Sequence, residues 1–344
     1  MLDPKPQAGA LVRCTDRALP SAAAVHVSRG KRPTPSSALG RLTALGLTVA
    51  LSLSSAGCIK KILLEGQIAS TRKGSAAIQS LHDWEIAEKA AMAGIAQIEG
   101  MRYLAPENED ALFMLTRSWA SVALGFIEDE LERVEDVEGS TSPQVDYLKR
   151  RAEAAYDRAV WYGQKLLGSR IEGFKEAQKN SDTMKAWLAQ FEGPEDAEKL
   201  FWLGYAWMGR VNIAKERPEM VSELFIGVAM LERSVELDPT YMNGSGHVAL
   251  GAYHARTPSA ELDESKKHFE KALVIGGGKT YMAKVQMAVR YHCNKGDKES
   301  YEATLKEVLE AGDGDPYQRL PNTIAKRKAF RWLQPARMRD NCGF

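Results

Sequence analysis

The chain has 344 residues, with 46 Lys and Arg against 45 Asp and Glu, a net charge of +1, and 44% hydrophobic residues. That length and apolar content suffice for a large core, built as one extended domain or two compact ones. The near balance of charge leaves no sequence-wide electrostatic footprint for nucleic acid, so no nucleic-acid partner is expected.

Residues 1–40 combine Pro4, Pro6, Pro20, Pro33 and Pro35 with scattered Arg, Lys and Ser, a composition unable to bury a core. Basic residues Arg29, Lys31, Arg32 and Arg41 then precede a mostly apolar run from Leu42 to Leu53, and Ser-Ser-Ala-Gly leads into Cys58. A basic flank, a short apolar stretch and small residues before a cysteine form an export signal of the bacterial lipoprotein kind, with Cys58 as the lipidation point. Twelve residues at about 1.5 Å each span about 18 Å, short of the roughly 30 Å of a bilayer core, so a transmembrane helix fits poorly. Translation beginning near Val25 or Val27 would give this signal an ordinary length. The expected organisation is a removed extension over 1–57 and a single domain over 58–344.

The first 57 residues hold seven Lys/Arg and two Asp/Glu, which leaves 39 basic and 43 acidic residues in the remainder, a net of −4. Beyond Cys58 no apolar stretch approaches the length of a membrane span. Of the four cysteines, Cys14 falls in the removed segment and Cys58 is committed to lipid. Cys293 and Cys342 remain, and an exported protein meets an oxidising compartment. Two arrangements fit: a disulfide closing a loop of about fifty residues, for which the chain-entropy model gives roughly 4 kcal/mol, or two separate thiols.

Helical periodicity runs through the remainder and strand signals are missing. Ala87, Ala91, Ile95, Ile98 and Met101 mark one face of a helix over Trp84–Leu104, and Pro106 interrupts it. Glu107-Asn108-Glu109-Asp110 supplies acidic and capping residues for a second helix with the stripe Leu112, Leu115, Trp119, Val122 and Phe126. Leu148, Ala152, Ala155, Ala159 and Leu166 define a helix from Tyr147 to Leu167, with Gly168 as its expected stop. A charged insert occupies about 170–194. Helices then open at Leu200, Val228, Gly246 and His268, and a last pair covers Tyr281–Tyr291 and Ser300–Leu309.

The segments Leu231-x-x-Ser-x-Glu-Leu-Asp-Pro239 and Phe269-x-x-Ala-Leu-Val-Ile-Gly276 occupy equivalent helix ends, and those ends fall 37 residues apart. Tetratricopeptide repeats have a period of about 34 residues, with Trp/Leu-Gly-Tyr in the first helix of each hairpin. Trp202-Leu-Gly-Tyr205 and Leu250-Gly-Ala-Tyr253 echo that signature. The predicted fold is all-α, a tetratricopeptide-like array of helical hairpins, an α-solenoid, whose stacked first helices line a concave wall.

Motifs for chemistry are weak. Gly276-Gly-Gly-Lys-Thr280 resembles the end of a phosphate-binding loop, but Leu273 stands at the first glycine position and a helix precedes it, which favours a helix-stop turn. Gly244-Ser-Gly-His-Val-Ala249 likewise mimics a dinucleotide pattern without a preceding strand. His247 and His254 lie seven apart and could share a helix face, as a zinc pair lacking a visible third ligand or as packing. No catalytic residues, metal site or cofactor are expected. The sharpest candidates for contact with a partner or ligand are Trp119, Trp202, Tyr205, Trp207, Tyr241 and Tyr253, all on proposed first helices or their entries. The competing reading is that they are core, because Trp-Leu-Gly-Tyr is itself a packing signature.

From Cys58 to about Leu333 the chain resembles the T component, TatT, of tripartite ATP-independent periplasmic (TRAP) transporters. The resemblance is carried by Gly57-Cys-Ile-Lys-Lys61, Tyr103-Leu-Ala-Pro-Glu-Asn108, Leu200-Phe-Trp-Leu-Gly-Tyr-Ala-Trp207, Leu231-Glu-Arg-Ser-Val-Glu-Leu-Asp-Pro239, His268-Phe-Glu-Lys-Ala-Leu273 and Asn322-Thr-Ile-Ala-Lys-Arg-Lys-Ala329, in that order. It implies a self-associating periplasmic lipoprotein that binds the solute-binding subunit of a TRAP system, handles a hydrophobic or carboxylate solute and catalyses nothing. Ile59 follows the cysteine where Asp commonly marks inner-membrane retention, so family-type sorting points to the outer membrane. The alternative is a general scaffold lipoprotein of envelope assembly.

Overall fold

The computed structural model describes residues 60–256 and 260–344; Cys58 and the signal segment lie outside them. Residues 60–74 are helical, and the compact body comprises Ile68–Phe344. Among the described residues every regular element is helical and there is no strand.

Local chemistry sets the helix starts. Asp83 caps α1, Trp84–Leu104, by accepting from the Ile86 amide, and Asn108 caps α2, Glu109–Val122, by accepting from Ala111. A π-helical stretch, Ala123–Ile127, joins α2 to α3, Glu128–Glu138, which ends at Gly139 with φ 85°. Ser142 caps α4, Pro143–Arg170, with Pro143 in its first turn. The expected stop at Gly168 does not operate: the exposed glycine is carried inside the helix, and the chain turns at Ile171.

The charged insert is folded. Helical turns Phe174–Ala177 and Ser181–Leu188, the latter held by a reciprocal cap between Asn180 and Thr183, bury Phe174, Trp187 and Phe191. The apolar residues here are too few per turn to announce a helix against Lys175, Glu176, Lys179 and Asp182. Then follow α5, Pro194–Ile213, α6, Leu224–Leu237, α7, Tyr241–Arg256, and α8, Leu262–Gly276. Gly277 stops α8 in the left-handed region, φ 53°, so Gly276-Gly-Gly-Lys is a helix terminus. Helix α9, Met282–Gln286, runs into a second π-helical stretch, Met287–His292. Last come α10, Lys298–Glu310, α11, Arg319–Trp332, and α12, Pro335–Cys342.

Successive helices pack on one another: α1 on α2, α2 on α4, α4 on α5, α5 on α6, and α7 on α8. Two glycines explain how closely some of them approach. A Cβ on Gly204 would lie 2.8 Å from the Gly227 carbonyl oxygen and 3.2 Å from Leu231, so α5 and α6 touch backbone to backbone. A Cβ on Gly251 would lie 3.1 Å from the Phe269 ring. The two Leu-Gly positions of the sequence motif therefore hold the same post, each facing the matching residue of the next helix.

The chain also returns on itself. Helix α11 packs against α1, α3 and the turn Ser75–Ser80, and a charged seam joins it to α3. Asp129, buried, accepts from Arg327 Nε at 2.9 Å and from Arg331. Glu132 pairs with Lys328 and Arg331, and Arg337 reaches Asp136 at 2.6 Å. Neighbouring cations draw the Glu132 carboxyl down to about 2 in spite of its burial. A last apolar cluster under α9 to α12 includes Val285, Val289, Tyr301, Leu305 and Trp332. Cys293 and Cys342 are bonded at its edge, with Cα atoms 5.0 Å apart.

Candidate functional site

The two π-helical stretches aim charged side chains into the interior. Glu128 follows the first and Arg290 lies within the second; such widened turns are frequent at functional sites because they displace the helix face. Arg256, at the end of α7, is exposed, and Glu128, Tyr205 and Arg290 are half-buried. Yet burial is the largest influence on the ionisation of all four.

The charges here are unequally matched. Tyr156, from α4, donates to the Glu128 carboxylate, and burial raises the Glu128 pKa. Burial lowers the pKa of Arg256. Arg290 is pushed down to about 9, first by burial and then by the charge of Arg256. Neither guanidinium makes a hydrogen bond or an ion pair among the described residues, and the Arg290 Nε is buried without a partner. Both line a cavity of about 320 Å³ whose other walls are Met208, Val211, Asn212, Lys215, Val221 and Leu224. The lining thus combines apolar side chains with three cations.

The sequence candidates divide among different places. Trp202, Tyr205 and Tyr241 come together around Phe201: its ring stacks on Tyr205 at 5.4 Å and meets Tyr241 edge-on at 5.4 Å. Trp202 Nε1 donates to the Tyr241 hydroxyl at 3.0 Å. Just after Tyr241, Met242 and Asn243 hold φ of 48° and 56°, a left-handed conformation that L-residues adopt at a cost of roughly 1–2 kcal/mol each. The turn replaces any dinucleotide-type loop at Gly244 and delivers Tyr241 to the aromatic group. Trp207 is instead core, 1% exposed against Phe174 with Arg210 over its ring. Trp119 donates to Glu99 at 3.2 Å beside Arg158, and Tyr253 packs on His254.

His247 and His254 do share a neighbourhood, joined by His268 from α8. His247 Nδ1 and His268 Nδ1 are 2.9 Å apart, His254 stacks on His268 at 5.5 Å, and Glu261 receives His254 at 2.6 Å. Burial, then the charges of His247 and His254, draw His268 down to about 4. The cluster is therefore neutral near pH 7 on the His268 side, and the short Nδ1 pair requires one ring to donate and the other to accept. Among the described residues no group of three His, Cys, Asp or Glu is placed to hold a metal ion.

Arg256, Arg290 and Glu128 were not among the candidates from sequence. A signal existed for Arg290, a lone cation inside the apolar run Met287-Ala-Val-Arg-Tyr291, though any Arg at a helix surface looks the same without the packing. None of these groups is a nucleophile paired with a base, and the arrangement suits holding a ligand or a partner segment.

The described residues form an all-helical frame with a half-buried charged cleft at the two π-helical stretches. The TRAP transporter T-component family matches the chain over residues 81–338, and the chain belongs to that family. It is accordingly a component of a transport system, associated with the cell envelope through that system. No curated protein matches it. No described helix is long and apolar enough to cross a membrane.

Proposed function

We propose that this protein is the accessory subunit of a TRAP system: a lipoprotein anchored through Cys58, on the periplasmic face of the outer membrane, that docks the solute-binding subunit. The family match over 81–338 carries the reading. Its body is an array of tetratricopeptide-like hairpins, a view supported by the equivalent contacts of Gly204 with Leu231 and of Gly251 with Phe269. Trp202, Tyr205 and Tyr241 are the proposed inner-wall contacts for partner or ligand. Trp119 and Tyr253, which stand apart from that group, and Trp207, in the core, are the remaining candidates from the sequence. The Cys293–Cys342 bond forms on export and fixes the C-terminal helix. The protein self-associates, needs no cofactor and catalyses nothing.

Affinity purification of the lipidated protein from its native host tests the assignment. Recovery of a TRAP solute-binding subunit is expected. A partner set confined to outer-membrane assembly proteins would overturn the transport role and favour a general envelope scaffold.

A further inference from the structure

The helix over 60–74 changes character along its length. Its second half belongs to the body: Ile68 is buried, and Arg72 pairs with both Asp110 and Glu198. In its first turns the exposed side chains include an apolar pair, Ile62 at 66% and Leu63 at 67%, directly after the exposed Lys60 and Lys61. Lys61 lies 3.8 Å from Glu65, an exposed pair that contributes little, and Lys60 has no ion pair among the described residues. Further along, the exposed positions Gly66, Ser70 and Lys73 are small or polar. Single exposed apolar residues are ordinary on a protein surface. What sets Ile62 and Leu63 apart is that they are consecutive and confined to the turn nearest Cys58.

We propose that the start of this helix is a bilayer-contact element: Ile62 and Leu63 enter the interface of the membrane that carries the Cys58 lipid, while Lys60 and Lys61 meet its phosphates. The proposal rests on the lipidation of Cys58 proposed above. Helix begins at Lys60, two residues after that cysteine, and two residues of chain reach at most about 7 Å. The headgroup layer is itself roughly 5–8 Å deep on each side of the hydrocarbon core, so acyl chains on Cys58 hold the first turn of the helix within it. There the two kinds of side chain find matching surroundings. Apolar groups leave water for the acyl boundary, and lysines bury their stems while keeping their ammonium groups among anionic headgroups. Two apolar side chains are too few to hold the whole protein, and the helix therefore adds to the acyl chains without replacing them.

Nitroxide labels attached through Leu63→Cys or Ser70→Cys in the full lipidated protein, inserted into vesicles of phosphatidylethanolamine and phosphatidylglycerol, test the contact. The label at 63 is expected to collide preferentially with dissolved oxygen, which concentrates in lipid, and the label at 70 with a water-soluble nickel chelate. In the lipidated protein, Ile62→Ser with Leu63→Ser is expected to speed transfer between vesicles at least tenfold with the helical circular dichroism unchanged. A label at 63 as open to the nickel chelate as the one at 70, or an unchanged transfer rate, overturns the contact. So does shielding of the label at 63 in the Cys58→Ala form without vesicles, which would mean that a second copy of the chain covers it. The mass of the protein reads the lipidation separately: a mass without lipid overturns the Cys58 reading and the contact with it, whereas a lipid-bearing protein with an aqueous label at 63 overturns the contact alone.

Discussion

Asp129 and Arg331, 202 residues apart in sequence, meet in a buried ion pair with side chains 2% and 11% exposed. Arg327 closes on the same carboxylate from 2.7 Å while its guanidinium lies 4.2 Å over the Trp84 ring. The contact ties α3 to α11, so an early and a late part of the chain are held as one body. Removing one partner of such a pair strands the other charge in a poorly solvated place, which costs about 3–5 kcal/mol. Asp129→Ala is therefore expected to lower stability by that order in urea denaturation. Replacing Asp129 and Arg331 together by apolar residues should recover most of the loss. A double variant no more stable than Asp129→Ala would refute the view that the stranded charge dominates.

The glycine contacts allow a sharper steric test. A methyl group at Gly204 has nowhere to go, since backbone oxygen is 2.8 Å away and Met230 Cβ 2.9 Å. Gly204→Ala should cost about 1–3 kcal/mol as overpacking between α5 and α6. Gly168→Ala makes the contrast: a Cβ there meets nothing within 4 Å, and helix propensity alone favours alanine by up to about 1 kcal/mol. Melting temperatures of the two variants should move in opposite directions.

Helices announce themselves through repeated apolar spacing, as at Ala87, Ile95, Ile98 and Met101, all of which are buried. Caps such as Asn108 and terminators such as Gly277 are local chemistry and equally readable. The meeting of Asp129 with Arg331 has no local trace, because both sit among other charged residues and only tertiary packing selects them. The same limit hid Arg256 and Arg290. It also mixed the aromatics: Trp202 and Trp207 are five apart on one helix, where the 3.6-residue turn sends them to different faces.

The three histidines between α7 and α8 predict a dependence on pH. His268 titrates near 4 in the folded chain, against about 6.5 when unfolded. The unfolded chain therefore takes up the proton first as pH falls. The stability tied to the neutral ring is complete above about 6.5, declines as pH falls toward 4, and changes no further below that through this group. His247 and His254 oppose protonation, Lys271 adds to them and Glu264 acts against them. With partial solvent screening allowed for, the loss is roughly 1–2 kcal/mol. His268→Gln should flatten the stability profile between pH 6.5 and 4. The steeper decline below about 4.5, where Glu132 is protonated in the unfolded chain, should remain.

The pairing of Cys293 with Cys342 has a sequence separation of 49. Closing a loop of that size restricts the unfolded chain by about 4 kcal/mol in the chain-entropy account. Cys342→Ser is expected to lower the unfolding free energy by up to that amount, and reduction of the native protein should do the same. Hydrogen exchange should rise first in α12, whose largest buried side chain is Met338. If the variant melts as the parent does and α12 stays protected, packing alone holds the C-terminus.

Cys58 lies outside the described residues, and its role is tested directly. Each buried CH₂ of an acyl chain contributes about 0.8 kcal/mol, and stable anchoring takes more than one chain. No described helix can replace such an anchor by crossing the membrane. Cys58→Ala should therefore appear in the soluble fraction when the protein is expressed without its transport partners, while the parent sediments with membranes. The two forms should also differ in mass by the attached lipid. Retention of the variant on membranes without partners would mean that the body itself binds the bilayer, and the exposed Ile62 and Leu63, on the helix that follows Cys58, would be the first residues to replace with polar ones.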